Sequence, residues 1–233
     1  MRVLMYNEGL HDKTSPEVQK LYPSGLHGRV GEIVKAAGHS YSFVTLNEVL
    51  ELTPQRLEET DVLIWWGHMA HSKVPDEIVK NVKDAVTAGM GLIVLHSGHH
   101  SKVFRCLTGC TGSLGWYERA KERVWCLKPE HPIAKGIPQQ FVLDPEEVYA
   151  EPFDIPRPDD IIFAGWFSTG EVFRSGVTFT RGHGKIFYFQ PGHESYGSFY
   201  NENVVKILQN AVAWAAPDYR QQITCPHIQP AEQ

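Results

Sequence analysis

The first hundred residues alternate between short apolar runs and segments with helical spacing. Arg2–Asn7, Asp61–Trp66 and Gly91–His96 are nearly continuous apolar runs, and Tyr41–Leu46 is rich in β-favouring residues. Gly28–Ala37 places Val30, Ile33, Val34 and Ala37 on one stripe and stops at Gly38. Pro75 opens a second helix, with Ile78, Val79, Val82, Ala85 and Val86 on one face and Gly89 at its end. Strands without polar alternation, separated by amphipathic helices, predict a parallel sheet covered on both faces.

The second half is less regular. Glu122–Leu127, Gln140–Leu143, Asp160–Phe167, Val172–Thr180 and Lys185–Gln190 read as strands, with Pro152, Pro156 and Pro158 marking a long loop between them. Val204–Ala215 reads as a broad apolar helix, and residues 218–233 as a polar, frayed tail. Without repeats or a linker-like shift in composition, residues 1–217 are expected to form one α/β domain. The expected fold class is flavodoxin-like: a mostly parallel sheet with helices on both faces and some antiparallel additions.

Composition narrows the function. The 233 residues are 42% hydrophobic and 21% charged, ordinary values for a globular chain. The 22 Lys and Arg against 27 Asp and Glu give −5, without a basic run, so nucleic-acid binding is not expected. No stretch approaches the ~18 apolar residues of a membrane span, and the amino terminus turns polar at Asn7–Glu8, too early for a signal peptide. The four cysteines form no C-x-x-C pair and are read as reduced thiols, with Cys106 and Cys110 packed inside, so a cytoplasmic location is expected.

The histidines carry the strongest signal. In an open parallel sheet, ligands bind outside the carboxyl ends of the strands. Strand one runs into Asn7-Glu8 with His11 close behind, and His27 precedes the first helix. The Trp65-Trp66 strand runs into His68 and His71; the Gly91 strand into His96, His99 and His100; the Lys185 strand into His193-Glu194. Eight of the twelve histidines thus gather where one sheet edge would collect them. Imidazole serves as a zinc-type ligand or as a proton carrier near neutral pH. The x2 spacing of His68/His71 and His96/His99 does not match two ligands on one helical face. The carboxylates of Asp144–Glu151 read mainly as a solvated run, with one member reaching the cluster as the sharper option. Trp65, Trp66, Trp116, Tyr149, Trp166 and Tyr196 read as core residues, some of which could stack on a sugar ring.

Leu95-His96-Ser97-Gly98-His99 resembles the strand–turn–helix elbow of class I glutamine amidotransferases, with His96 where those enzymes carry a cysteine. Gly192-His193-Glu194 falls where they carry a catalytic His and Glu, although here the two are adjacent. The resemblance implies their fold without glutaminase chemistry. A closer resemblance spans nearly the whole chain. Trp65-Trp66-Gly67-His68-Met69-Ala70-His71, His96-Ser97-Gly98-His99, Glu151-Pro152-Phe153-Asp154-Ile155-Pro156, Phe173-Arg174-Ser175-Gly176 and Pro191-Gly192-His193-Glu194 are similar to ThuA-like trehalose-utilisation proteins. That resemblance implies a role in disaccharide use on 3-keto-glycosides, linked to a sugar dehydrogenase.

The resulting expectation is a carbohydrate-active protein with a small-molecule sugar substrate. His68, His96 and His193 are assigned as ligands of a divalent metal, zinc in the first place; Glu8, Glu147 and Glu194 as catalytic carboxylates; and His11, His27, His71, His99, Trp66 and Glu151 as substrate contacts. The metal would assist isomerisation or cleavage. Metal-free acid–base catalysis by the same residues, and a non-enzymatic sugar-binding module on a former amidotransferase scaffold, are the alternatives. No nucleotide cofactor and no membrane partner are expected, and a homo-oligomer is an open expectation.

Overall fold

Trp65 and Trp66 are chain neighbours, so in a strand their rings leave opposite faces. Both are buried, Trp65 stacked on Tyr6 at 4.1 Å. A sheet that buries both must be covered on both sides, as the apolar runs require. The computed structural model describes residues 1–231, so residues 232–233 of the expected tail lie outside the described residues.

In chain order the elements are β1 (Arg2–Asn7), α1 (His11–Thr14), α2 (Pro16–Leu21), α3 (Gly25–Ala36), β2 (Ser40–Thr45), α4 (Pro54–Glu58), β3 (Val62–Trp66) and α5 (Asp76–Thr87). Then follow β4 (Gly91–Leu95), α6 (Lys102–Thr108), β5 (Gly115–Cys126), β6 (Gln140–Ala150), β7 (Asp160–Phe167), β8 (Val172–Arg181), β9 (Gly184–Phe189) and α7 (Glu202–Trp214). The strands form one sheet in the order β2-β1-β3-β4-β9-β8-β7-β5-β6. The first five run parallel, and β8, β7, β5 and β6 extend them as an antiparallel wing.

One face packs against α3 and α7 through Leu26, Val30, Ile33, Val34, Val204, Ile207, Leu208, Ala211 and Val212. The other packs against α5 and α6 through Ile78, Val79, Val82, Val86, Val103, Phe104 and Leu107. Each fully buried aliphatic side chain contributes roughly 1.5–3 kcal/mol. Caps set the helix starts: Asn201 accepts from the Asn203 and Val204 amides, and Ser101 accepts from Phe104. The short helices α1, α2, α4 and α6 were not foreseen, because a turn or two shows no periodicity.

Three sequence expectations need correction. The Asp144–Glu151 carboxylates do not form a solvated run. Asp144, Glu146 and Glu147 lie in β6, a single strand running from Gln140 to Ala150, with Asp144 exposed but Glu146 and Glu147 buried, and Glu151 follows its end. Cys106 is exposed on α6, whereas Cys110 is half-buried and packs against the core, so the packing expectation fails for Cys106 alone. The tail is also not frayed from its start. Arg220 donates to the carbonyls of Leu57, Glu58 and Thr60, and the Gln221 amide to Ala88, pinning the chain against the amino ends of the strands.

The feature that shapes the site is the bend of the β5–β6 pair. Register breaks fall between Tyr117 and Ala120 and between Ala120 and Glu122, and Arg119 lies between them at φ 71°. Bulges of this kind bend a strand and increase its twist. The outer part of the hairpin therefore turns back over the carboxyl ends of β4 and β9, bringing Glu146, Glu147 and Tyr149 there.

Ile93, at the centre of β4, is fully buried. Ile93→Ala should cost about 2–5 kcal/mol of unfolding free energy through lost contacts and a residual cavity. Urea denaturation of both proteins measures the difference.

Candidate functional site

Four of the five parallel strands, β1, β3, β4 and β9, each deliver one part of the site. After β1, the Glu8 carboxylate accepts the backbone N–H groups of His68 (2.9 Å), Met69 (3.0 Å) and Ala70 (2.8 Å). This pins the loop after β3 that carries His68. The next turn is tied down by Asp12, which receives Asn7 Nδ2 (2.6 Å) and the Leu26 amide (3.3 Å). His27 lies beside Asn7 Nδ2 (2.9 Å) and stacks on Phe43 at 4.0 Å. That turn presents His11, whose Nδ1 lies 2.6 Å from Glu194 Oε1. His68 Nδ1 approaches the same oxygen at 2.9 Å.

After β4, His96 adopts φ 51°, a left-handed conformation that costs a residue with a side chain roughly 1–3 kcal/mol. Its Nδ1–H donates to the Gln190 carbonyl at 3.0 Å, which turns Nε2 toward Glu147 Oε2 (3.0 Å) and the Tyr149 hydroxyl (3.3 Å). After β9, the Ser195 amide donates to His193 Nδ1 at 3.0 Å. The imidazole centroids of His68, His96 and His193 stand 5.1 to 6.0 Å apart.

Burial alone would push His96 down, but the Glu147 carboxylate, aided by the charges of Glu146 and Glu194, lifts it to about 9. Burial opposes ionisation of Glu147 as well, and the close approach and charge of His96 overcome it, holding that carboxyl below its ordinary range. Glu194 is drawn down in the same way by His11 and His68 against its burial. His193 moves oppositely: burial first, then the His96 charge, lower it to about 4. At neutral pH the site holds a charged His96–Glu147 pair beside a neutral His193.

Behind this pair lie two further buried carboxyls. Glu146 accepts the amides of Glu147 (3.0 Å) and Gly192 (3.2 Å) and the Ser198 hydroxyl, and burial raises it. Glu122 accepts the Ser175 hydroxyl at 2.9 Å and is pushed well above its ordinary value by burial, then by Glu146. A Cβ at Gly165 would collide with Glu122 and Ser175, so glycine is what makes room for this carboxyl. His11 and His68 are about a quarter exposed; Met69, next to His68, and Glu118, 3.7 Å from His193, are exposed as well.

The sequence profile described as ThuA, trehalose utilisation, matches residues 2–215. The chain belongs to the ThuA family. Its fold is similar to that of a putative ThuA-like protein from Parabacteroides merdae, with a TM-score of 0.71 at 14% identity over 96% of this chain and 92% of that one. A cytoplasmic protein from Salmonella typhimurium follows at 0.65 and 13%, covering 94% of this chain and 100% of the other. A putative GMP synthase protein from Thermoplasma acidophilum reaches 0.54 at 14%, covering 91% and 92%. The fold is thus of the class I amidotransferase-like, flavodoxin-like type. No curated protein sequence matches the chain. Among the described residues, no helix is long and apolar enough to cross a membrane.

In this ThuA chain the assigned residues do not all face one pocket. His68, His96, His193, Glu147, Glu194 and His11 converge. The ligand-type atoms cluster as two adjacent trios, His96–Glu147–His193 and His11–His68–Glu194, rather than as the expected His68–His96–His193 set. Glu8 is no proton carrier, since loop amides occupy both of its oxygens. Trp66 is no sugar platform: it lies in the core and its indole N–H donates to the Gly192 carbonyl at 3.1 Å. Glu151 forks onto Arg174 at 2.7 and 2.9 Å and also accepts the Phe153 amide, so it holds the proline-rich loop instead of substrate. His99 is buried with Nδ1–H on the Gly112 carbonyl at 2.6 Å, His27 is held by the Asp12 network, and His71 is pushed to about 4 by burial, its ring against Gly67. These three support the site from outside it.

The Glu122, Glu146 and Gln190 roles were missed. A carboxylate pair inside a strand whose neighbours Leu143 and Val148 are apolar was the available signal.

Because His96 is raised from 6.5 to about 9, its contribution to stability is complete below about pH 6.5 and is lost as pH rises through about 9. His96→Asn keeps a residue that tolerates the left-handed backbone. The stability gap between wild type and this variant should shrink by a few kcal/mol between pH 6 and pH 10, read from urea melts at each pH. Glu8→Gln turns one acceptor into a donor facing loop amides. It should cost about 1–3 kcal/mol by the same measurement.

Proposed function

We propose that this ThuA-family protein acts on an oxidised, trehalose-type disaccharide, a 3-keto-glycoside, by removing the proton beside its ketone and releasing the glycosidic bond. The single observation that carries this reading is the donation of the Ser195 amide to His193 Nδ1 at 3.0 Å, which assigns the tautomer of the ring. With Nδ1 accepting the Ser195 amide and the ring neutral, the proton resides on Nε2, a buried atom without a protein partner. A neutral N–H held in a desolvated site beside a charged carboxylate is suited to polarising a carbonyl oxygen.

The roles follow from what each group can still do. Glu147 Oε2 is buried and makes no aligned hydrogen bond, although His96 lies 3.0 Å away, so it is available as a base. The His96 cation holds Glu147 ionised, and the Tyr149 hydroxyl, kept protonated by burial, stacks its ring on His96 at 5.1 Å. Glu147 takes the proton from the carbon between the ketone and the anomeric centre. The electron pair forms an enolate whose oxygen is met by His193 Nε2–H. Re-formation of the carbonyl then pushes the pair between that carbon and the anomeric carbon, breaking the anomeric C–O bond. The proton held by Glu147 goes to the departing oxygen. An unoxidised non-reducing disaccharide has no carbonyl and no acidic C–H, so a dehydrogenase is the partner reaction that supplies the substrate.

Incubation of the 3-keto form of trehalose with the protein in D2O tests this directly. NMR should show release of one sugar, with trehalose itself unchanged. Recovered 3-keto substrate should carry deuterium at the carbon between the ketone and the anomeric centre, put there when the enolate is reprotonated after the Glu147 proton has exchanged with solvent. Glu147→Gln and His193→Ala should lower the exchange rate by about 100-fold or more. Saturable sugar binding in calorimetry with neither exchange nor release would instead identify a binding module and refute the reaction.

A further inference from the structure

We infer that His11, His68 and Glu194 form a binding site for one divalent cation of the zinc type, separate from the acid–base group beside it. His11 Nδ1 and His68 Nδ1 converge on Glu194 Oε1 at 2.6 and 2.9 Å. The three residues come from the ends of three different strands, β1, β3 and β9, so no local sequence pattern announces them. Glu194 is 3% exposed, its Oε2 has no hydrogen-bond partner, and His11 Nδ1 is buried without an aligned one. Two imidazoles and a carboxylate are a donor set that borderline divalent ions favour, leaving a fourth position open. His11 and His68 are the trio's partly exposed members, which gives an ion a path from solvent.

The neighbouring trio is less suited to an ion. His96 is engaged with Gln190, Glu147 and Tyr149, and His193 carries its proton on the nitrogen that a metal would need. Neither ring of the His11–His68 pair has a nitrogen taken by a backbone amide. The two trios are adjacent: the rings of His68 and His193 are 5.3 Å apart. A bound cation would therefore polarise the same oxygen that His193 meets. The inference rests on the acid–base reading for the ion's role, but not for its binding.

The test uses full-length protein purified without a histidine tag, stripped with a chelator and titrated with Zn2+ by calorimetry and with Co2+ by its absorption spectrum. One ion per chain is expected. His11→Ala and Glu194→Gln should each weaken binding by at least about 100-fold, the upper range for an outer-shell change. His96→Asn should leave it unchanged. His11 lies on a short, partly exposed helix, so His11→Ala carries the test should Glu194→Gln fail to fold. Absence of ion binding by the wild type overturns the inference, as does binding lost in His96→Asn but kept in His11→Ala. If that ion-free wild type still exchanges deuterium, the acid–base reading stands alone; ion binding without exchange is the reverse case.

Discussion

His96 and Glu147 belong to strands five places apart in the sheet order, yet they stand 3.0 Å from each other in the dry interior. This ion pair joins the parallel half of the sheet to the end of the antiparallel wing. Buried charges are tolerated only when paired, and removing one partner of such a pair commonly costs roughly 3–5 kcal/mol. The bend in β5–β6, the left-handed backbone at His96 and the hydrogen bond from its Nδ1 all serve to hold the two groups together. The pair in turn sets the state of its neighbour, since the His96 charge helps keep His193 neutral.

The same side chain does opposite things at different strand ends. Glu8 and Glu151 are saturated by backbone amides and a guanidinium, and so fix loops. Glu147 and Glu194 each keep a buried oxygen without an aligned partner, and so retain unused lone pairs. A saturated carboxylate is a structural anchor, whereas a desolvated one with a vacant lone pair is reactive or a ligand. The difference lies in how many N–H donors the surrounding loop supplies.

The relation to amidotransferase-like folds is also explained locally. The left-handed residue after β4, His96, carries imidazole rather than a thiol, and Glu8 occupies the amides of the loop after β3.

Much of the parallel half was legible in the sequence. Apolar runs without alternation can only be covered strands, and the ends of such strands meet at one edge, which sufficed to bring His68, His96 and His193 together. Family membership was legible in the strings around Trp65 and His96. Hydrogen-bond partners were not, because a lone histidine or glutamate reads alike whether a loop amide has claimed it or not. So Glu8, Trp66, His99 and Glu151 read as site residues until the tertiary structure showed their groups occupied or buried. The bend of β5–β6 was equally hidden, since register breaks depend on both strands at once. Hydrophobic pattern determined which strands exist and where they end; the three-dimensional pairing of donors with acceptors decided which of the gathered side chains remain free to react.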